Sequence, residues 1–132
     1  MKLSVNWVKE LTGLDIPIDQ LVQKIGSQLG EIEEVVNLGD VYKDAFVVNV
    51  VECVPHPKAD KLSYCKIDDG RQAQNVNRDE RGLVEVVCGA PNVKAGMKAV
   101  WLPPGATVPS TYGKNPFVLE PKELRGIVSN GM

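Results

Sequence analysis

From Ala45 onward, apolar runs rich in β-branched residues are cut short again and again by proline, glycine or asparagine. Phe46-Val47-Val48-Asn49-Val50-Val51-Glu52-Cys53-Val54 stops at Pro55-His56-Pro57. Leu62 to Asp68 alternates with a period of two, which sets Leu62, Tyr64, Lys66 and Asp68 on one face and Ser63, Cys65 and Ile67 on the other. Leu83 to Cys88 and Ala99 to Leu102 read as further strands, each closed by Gly or Pro. A fifth is expected at Phe117-Val118-Leu119 or at Glu123-Leu124-Arg125-Gly126. Several short strands at near-regular spacing with turn signals between them favour an all-β barrel over βαβ units.

Five such strands in about 90 residues fit a mainly β fold, a five-stranded OB-fold Greek-key barrel. Asp69-Gly70 is a hairpin signal, and Asp68-Asp69 supply turn chemistry before it. The polar stretch Arg71–Gly82 reads as an extended, mobile loop.

The first 39 residues follow a different rule. Leu3, Trp7 and Leu11 recur every fourth position and form one helix face, ended by Gly13. A second helix is expected after Pro17, with Leu21, Val22, Ile25 and Leu29 as its stripe. Glu31 to Asn37 reads as a strand leading to a Gly39-Asp40 turn. Two helices of this size cannot bury a core of their own. Residues 1–39 are therefore expected to be a helical leader, part of a larger split domain, and residues 40–132 a β domain.

Charge divides the same way. The leader holds three lysines against six acidic residues, and the remainder holds 12 basic against 11 acidic, for a net charge of −2. Only a local cluster could attract phosphate. Lys58 and Lys61 bracket the first β turn, and Lys66 follows on the face of Tyr64. Lys94 and Lys98 flank the Asn92-Val93-Lys94-Ala95-Gly96 turn, and Lys122 and Arg125 close the last motif. On one barrel rim these would track a phosphate backbone, with Tyr64 or Tyr112 as a stacking surface and Asn92 and Ser129 as polar contacts. Singly, each cation reads equally as a device that keeps strand edges soluble.

No catalytic constellation is legible. His56 between two prolines reads as a turn residue, and no nucleophile motif or phosphate loop occurs. Cys53, Cys65 and Cys88 are odd in number and form no C-x-x-C pair, so reduced thiols are expected and zinc is not. No apolar stretch nears the ~20 residues of a membrane-spanning helix. The N-terminus has no signal-peptide core, and the expected location is the cytoplasm.

Four blocks carry a resemblance: His56-Pro57-Lys58-Ala59-Asp60-Lys61-Leu62, Val87 to Lys98, Leu102-Pro103-Pro104-Gly105-Ala106, and Glu123 to Met132. Together they resemble the tRNA-binding, EMAP-like OB domain shared by several synthetase-associated proteins. The opening, Met1 to Val35, is similar to the start of the beta subunits of bacterial phenylalanyl-tRNA synthetases, where a helical piece precedes an inserted barrel. The resemblance implies a truncated N-terminal part of such a subunit, with tRNA and a catalytic alpha subunit as partners in an (αβ)2 assembly and neither DNA nor membrane. ATP and Mg2+ would serve the full enzyme, and none of its catalytic or editing residues is matched here. The alternatives are a free-standing tRNA-binding or chaperone-like protein and a docking module without RNA. Two departures stand out: Arg71–Gly82 is longer than the family's short hairpin, and Asn130 replaces an acidic residue.

Overall fold

A computed structural model describes residues 2–113 and 115–132. The chain divides into two compact units, Met1–Asn37 and Leu38–Met132.

The first unit holds helices α1 (Val5–Thr12) and α2 (Ile18–Gln28). Ser4 caps α1 by accepting the Trp7 N–H, and Gly13 ends it at φ 69°, where its N–H reaches the Lys9 carbonyl at 2.9 Å. Leu3, Trp7 and Leu11 are 66, 70 and 85 % exposed, so the apolar face read from the sequence is not buried in this unit. The strand expected at Glu31 to Asn37 does not form. A strand needs a ladder partner, the two sheets of the described residues are built from other segments, and Val35 and Val36 stay exposed. The expected Gly39-Asp40 turn lies within a single helical turn, α3 (Leu38–Val41), which opens the second unit.

That unit is mainly β. Strands β1 (Phe46–His56), β2 (Ala59–Asp68), β3 (Val84–Cys88) and β4 (Lys98–Trp101) form a curled antiparallel sheet in the order β3-β2-β1-β4. The core is the inner face of this sheet: Val48, Val50, Cys65, Ile67, Val84, Val86 and Trp101. The inner positions of β1 alternate from Phe46 to Val50, and a bulge between Val50 and Glu52 then shifts the register. At that point the Val50 N–H and carbonyl leave β4 and bond Met97 and Gly96 at 2.9 and 2.7 Å. A bulge bends its strand and re-aims the side chains beyond it.

Two expectations for this unit are corrected. Asp69-Gly70 begins a turn but closes no tight hairpin, since β2 and β3 first pair at Ile67 and Val84. The expected fifth strand is a separate ribbon. Phe117–Leu119 meets residues 105–108 through a bridge at Thr107 and Val118 and three backbone bonds around it. Glu123 to Gly126 straddles the apex of a hairpin between β5 (Lys122–Leu124) and β6 (Ile127–Ser129). Arg125 and Gly126 sit at φ 53° and 94°, the positive pair that a two-residue type I′ turn requires.

After β6 the chain touches both outer strands of the sheet. The Asn130 N–H donates to the Glu85 carbonyl on β3 at 3.0 Å, while Leu102 and Met132 exchange backbone bonds of 2.8 and 3.0 Å beyond β4. Trp101 Nε1 donates to the Asn130 carbonyl at 2.9 Å. Gly131 lies between them at φ 93°, where a Cβ would stand 2.1 Å from the Leu102 oxygen, so no side chain fits.

Candidate nucleic-acid interface

The turn joining β1 to β2 is built around His56. Its ring is buried, with Nδ1 accepting the Lys58 N–H at 3.1 Å and Nε2 lying 3.1 Å from the Leu124 carbonyl. Since Nδ1 is an acceptor, Nε2 carries the hydrogen and donates it to Leu124. The imidazole therefore ties the first turn to β5, and both nitrogens are committed to backbone groups. Arg125 adds a second tie, Nη1 donating to the Lys58 carbonyl at 2.8 Å. Lys58 Nζ in turn lies 3.4 Å from where a Gly126 Cβ would be. Two turns 67 residues apart in sequence thus place Lys58 and Arg125 together, both exposed. Lys61 follows on β2 and Lys122 on β5, also exposed.

The remaining predicted positions go elsewhere. Asn92, Lys94 and Lys98 are exposed on or beside the turn that bonds Val50. Val50 and His56 are about 20 Å apart along an extended strand. Tyr64 and Lys66 point outward from β2 but are occupied. The Tyr64 hydroxyl donates to Glu85 Oε1 at 2.5 Å, and partial burial together with this carboxylate raises its pKa. Lys66 Nζ bonds Asp79 Oδ2 at 2.8 Å, which raises the lysine and lowers the aspartate. Ser129 is buried, its hydroxyl accepting from the Val87 N–H at 2.9 Å and donating to the Gly131 carbonyl at 3.1 Å.

Sequence reasoning missed what orders the Arg71–Gly82 loop. Asp69, 1 % exposed, accepts the Arg71 and Ala73 N–H groups at 3.1 and 2.9 Å and a forked bond from Arg78 at 2.5 and 2.9 Å. Arg78 also reaches the Ala73 and Gly82 carbonyls. Asp79 accepts from Arg81 and Leu83, and Arg81 pairs with Glu52. The expected extended, mobile loop is instead a hydrogen-bonded knot around one carboxylate. The Arg78 bonds hold Asp69 down at about 2, with backbone donors assisting and burial opposing. The polar composition gave no sign of this, since only the fold shows which acid each arginine meets.

Chemically, the Lys58–Arg125 corner offers exposed cations and donors to an anion. Two clefts near the sheet, of about 280 and 160 Å³, are lined by residues other than Lys58, Lys61, Lys122 and Arg125. Among the described residues no group of three or more His, Cys, Asp or Glu side chains is placed to hold a metal ion, and no helix is long and apolar enough to cross a membrane.

The family model for the putative tRNA binding domain matches residues 46–132, from the first residue of β1 through the segment that reaches both outer strands. The chain belongs to this family. All four corner residues fall inside the matched stretch. Phenylalanine–tRNA ligase beta subunits are similar over the whole of this chain: that of Synechococcus sp. (strain CC9605) is 35 % identical, that of Nitrobacter winogradskyi 33 % and that of Oleidesulfovibrio alaskensis 36 %. The chain spans only 15 % of the length of these curated relatives, and the putative tRNA binding domain is the part of it that the family model covers.

Proposed function

We propose that this chain is an accessory tRNA-binding region of a phenylalanyl-tRNA synthetase beta subunit, contributing to the ATP-dependent charging of tRNA-Phe with phenylalanine. The observation that carries the reading is the interlock of Lys58 and Arg125 at the meeting of two turns, inside the family's matched residues. Lys61 and Lys122 extend that corner, and Asn92, Lys94 and Lys98 form a second, weaker point of contact along the phosphate backbone. Such binding follows shape and charge, each neutralised phosphate contributing roughly 0.7–0.9 to the log–log salt slope. Ser129–Met132, bonded to β3 and beyond β4, supports a five-stranded OB-type barrel with this segment as the closing strand.

By the same reading the module is non-catalytic and cytoplasmic, and the alpha subunit completes an (αβ)2 assembly. ATP and Mg2+ then act in other modules. Among the described residues no group of three or more His, Cys, Asp or Glu side chains is placed to hold the cation.

The test is tRNA retention against salt for the parent chain and for Lys58→Ala and Arg125→Asn. Asparagine tolerates the left-handed backbone at this turn, so the second variant removes charge without disturbing the hairpin. Each variant is expected to lower the salt slope by about 0.7–0.9. A parent that retains no tRNA at low salt, or slopes that do not move, overturns the proposal and favours a docking role without RNA.

A further inference from the structure

The three cysteines, at positions 53, 65 and 88, are far apart in sequence, yet they arrive on the neighbouring strands β1, β2 and β3 and pack on one apolar core. Cys53 and Cys65 are direct partners in the β1–β2 register, and their sulfurs are 3.4 Å apart. Cys88 lies opposite Ser63, one diagonal step from Cys65, whose own partner on β3 is Val86.

This meeting depends on the bulge. Strict alternation from Val48 and Val50 would turn Cys53 outward. The register shift between Val50 and Glu52 reverses the parity and turns it in against Cys65. Accessibility then separates the two thiols, since Cys53 is half-buried and Cys65 only 2 % exposed.

We propose that Cys53 and Cys65 are a redox-active dithiol that a peroxide converts into a cross-strand disulfide, closing the β1–β2 turn with Lys58 and Lys61 into a covalent ring. Directly opposed residues of an antiparallel pair have Cα atoms about 4.5–5.5 Å apart, inside the range of about 4.4–6.8 Å that a disulfide spans. The ladder can therefore stay intact while the sulfurs close to about 2 Å. Burial and the contact with Cys53 push the Cys65 thiol up to about 12, so the reaction begins on the more accessible partner. The Cys53 sulfur attacks one peroxide oxygen, the O–O bond breaks, and a sulfenic acid and one water form. The Cys65 sulfur then attacks the Cys53 sulfur. The S–O bond breaks, and the departing hydroxide leaves as a second water with the Cys65 proton. Two thiols are oxidised and one peroxide is reduced.

Native protein is treated with hydrogen peroxide and unfolded, its remaining thiols are alkylated, and its peptides are mapped by mass spectrometry. The expected product loses two hydrogen masses, joins the Cys53 and Cys65 peptides, and leaves Cys88 alone to be alkylated. Cys88→Ser should keep the crosslink and Cys53→Ser should abolish it. Oxygen added to Cys53 while Cys65 still alkylates, or a crosslink through Cys88, overturns the assignment.

Discussion

Two loops of the β unit that carry lysines or arginines use their charge in opposite ways. In the connection from β2 to β3, Arg78 forks onto buried Asp69, Lys66 binds Asp79 and Arg81 binds Glu52. Where the β1–β2 turn meets the β5–β6 hairpin, Arg125 bonds the Lys58 carbonyl, and among the described residues no ion pair involves Lys58, Lys61, Lys122 or Arg125. Both loops carry lysines or arginines in sequence. The first ties Arg78 and Arg81, and Lys66 beside it, to carboxylates and becomes scaffold, whereas the second leaves its cations facing solvent and can serve as a surface. Counting lysines and arginines therefore does not locate an interface. What decides is whether the fold brings a carboxylate within reach of each.

The hardest blow to the scaffold loop is Arg78→Ala. It leaves the Asp69 carboxylate buried without its fork, and breaking a buried pair by removing one partner costs about 3–5 kcal/mol. Urea unfolding should show a loss of that size with the m-value retained. A loss no larger than that of an exposed arginine would erase the contrast between the loops.

Next in size is the acid response. Asp69 falls from 3.8 to about 2 on folding, chiefly through Arg78. Below pH 4 the unfolded chain takes up this proton more readily, so the contribution, on the order of 2 kcal/mol, is complete at neutral pH, declines from about pH 4, and is gone below about pH 2. Stability measured between pH 5 and 2 should slope in that sense, and Arg78→Ala should flatten the slope. An unchanged slope in the variant would assign the acid response to other carboxylates.

Much of this body was legible in the sequence. The period-two pattern of Leu62 to Asp68 separated the two faces of β2, and Cys65 and Ile67, which it put on one face, are both buried. Pro55-His56-Pro57 marked the end of β1, which closes at His56. Other features were not local. The parity reversal at Val51 leaves no mark in a uniformly β-branched run. Asp69 and Arg78 are nine residues apart and His56 and Leu124 are 68 apart, so no window shows either pair. Glu123 to Gly126 looked like strand because an arginine gives little warning of positive φ, although Gly126 beside it was the available hint.

A smaller effect, of opposite sign, is expected at the other loop. Arg125 holds φ 53°, a conformation that costs a non-glycine residue roughly 1–2 kcal/mol and that asparagine visits more readily. Arg125→Asn gives up one exposed bond and relieves part of that strain. Its melting temperature should equal or slightly exceed the parent's while its tRNA salt slope falls. Coupled losses of stability and binding would mean that this corner, too, is scaffold.

The smallest effect is expected at Arg81. Its guanidinium pairs with Glu52 on the outer face of the sheet, where both side chains are substantially exposed, 59 and 44 %. The pair raises the arginine's pKa, but water competes for both ions and salt screens them, so exposed pairs contribute little to stability. Arg81→Ala should leave the denaturation midpoint unchanged within error. Since Glu52 already neutralises the arginine, the tRNA salt slope should hold as well. If binding weakened as much as in Lys58→Ala, the outer face of the sheet would have to be counted within the interface, and the division between cations that meet a carboxylate and cations that do not would no longer separate the two loops.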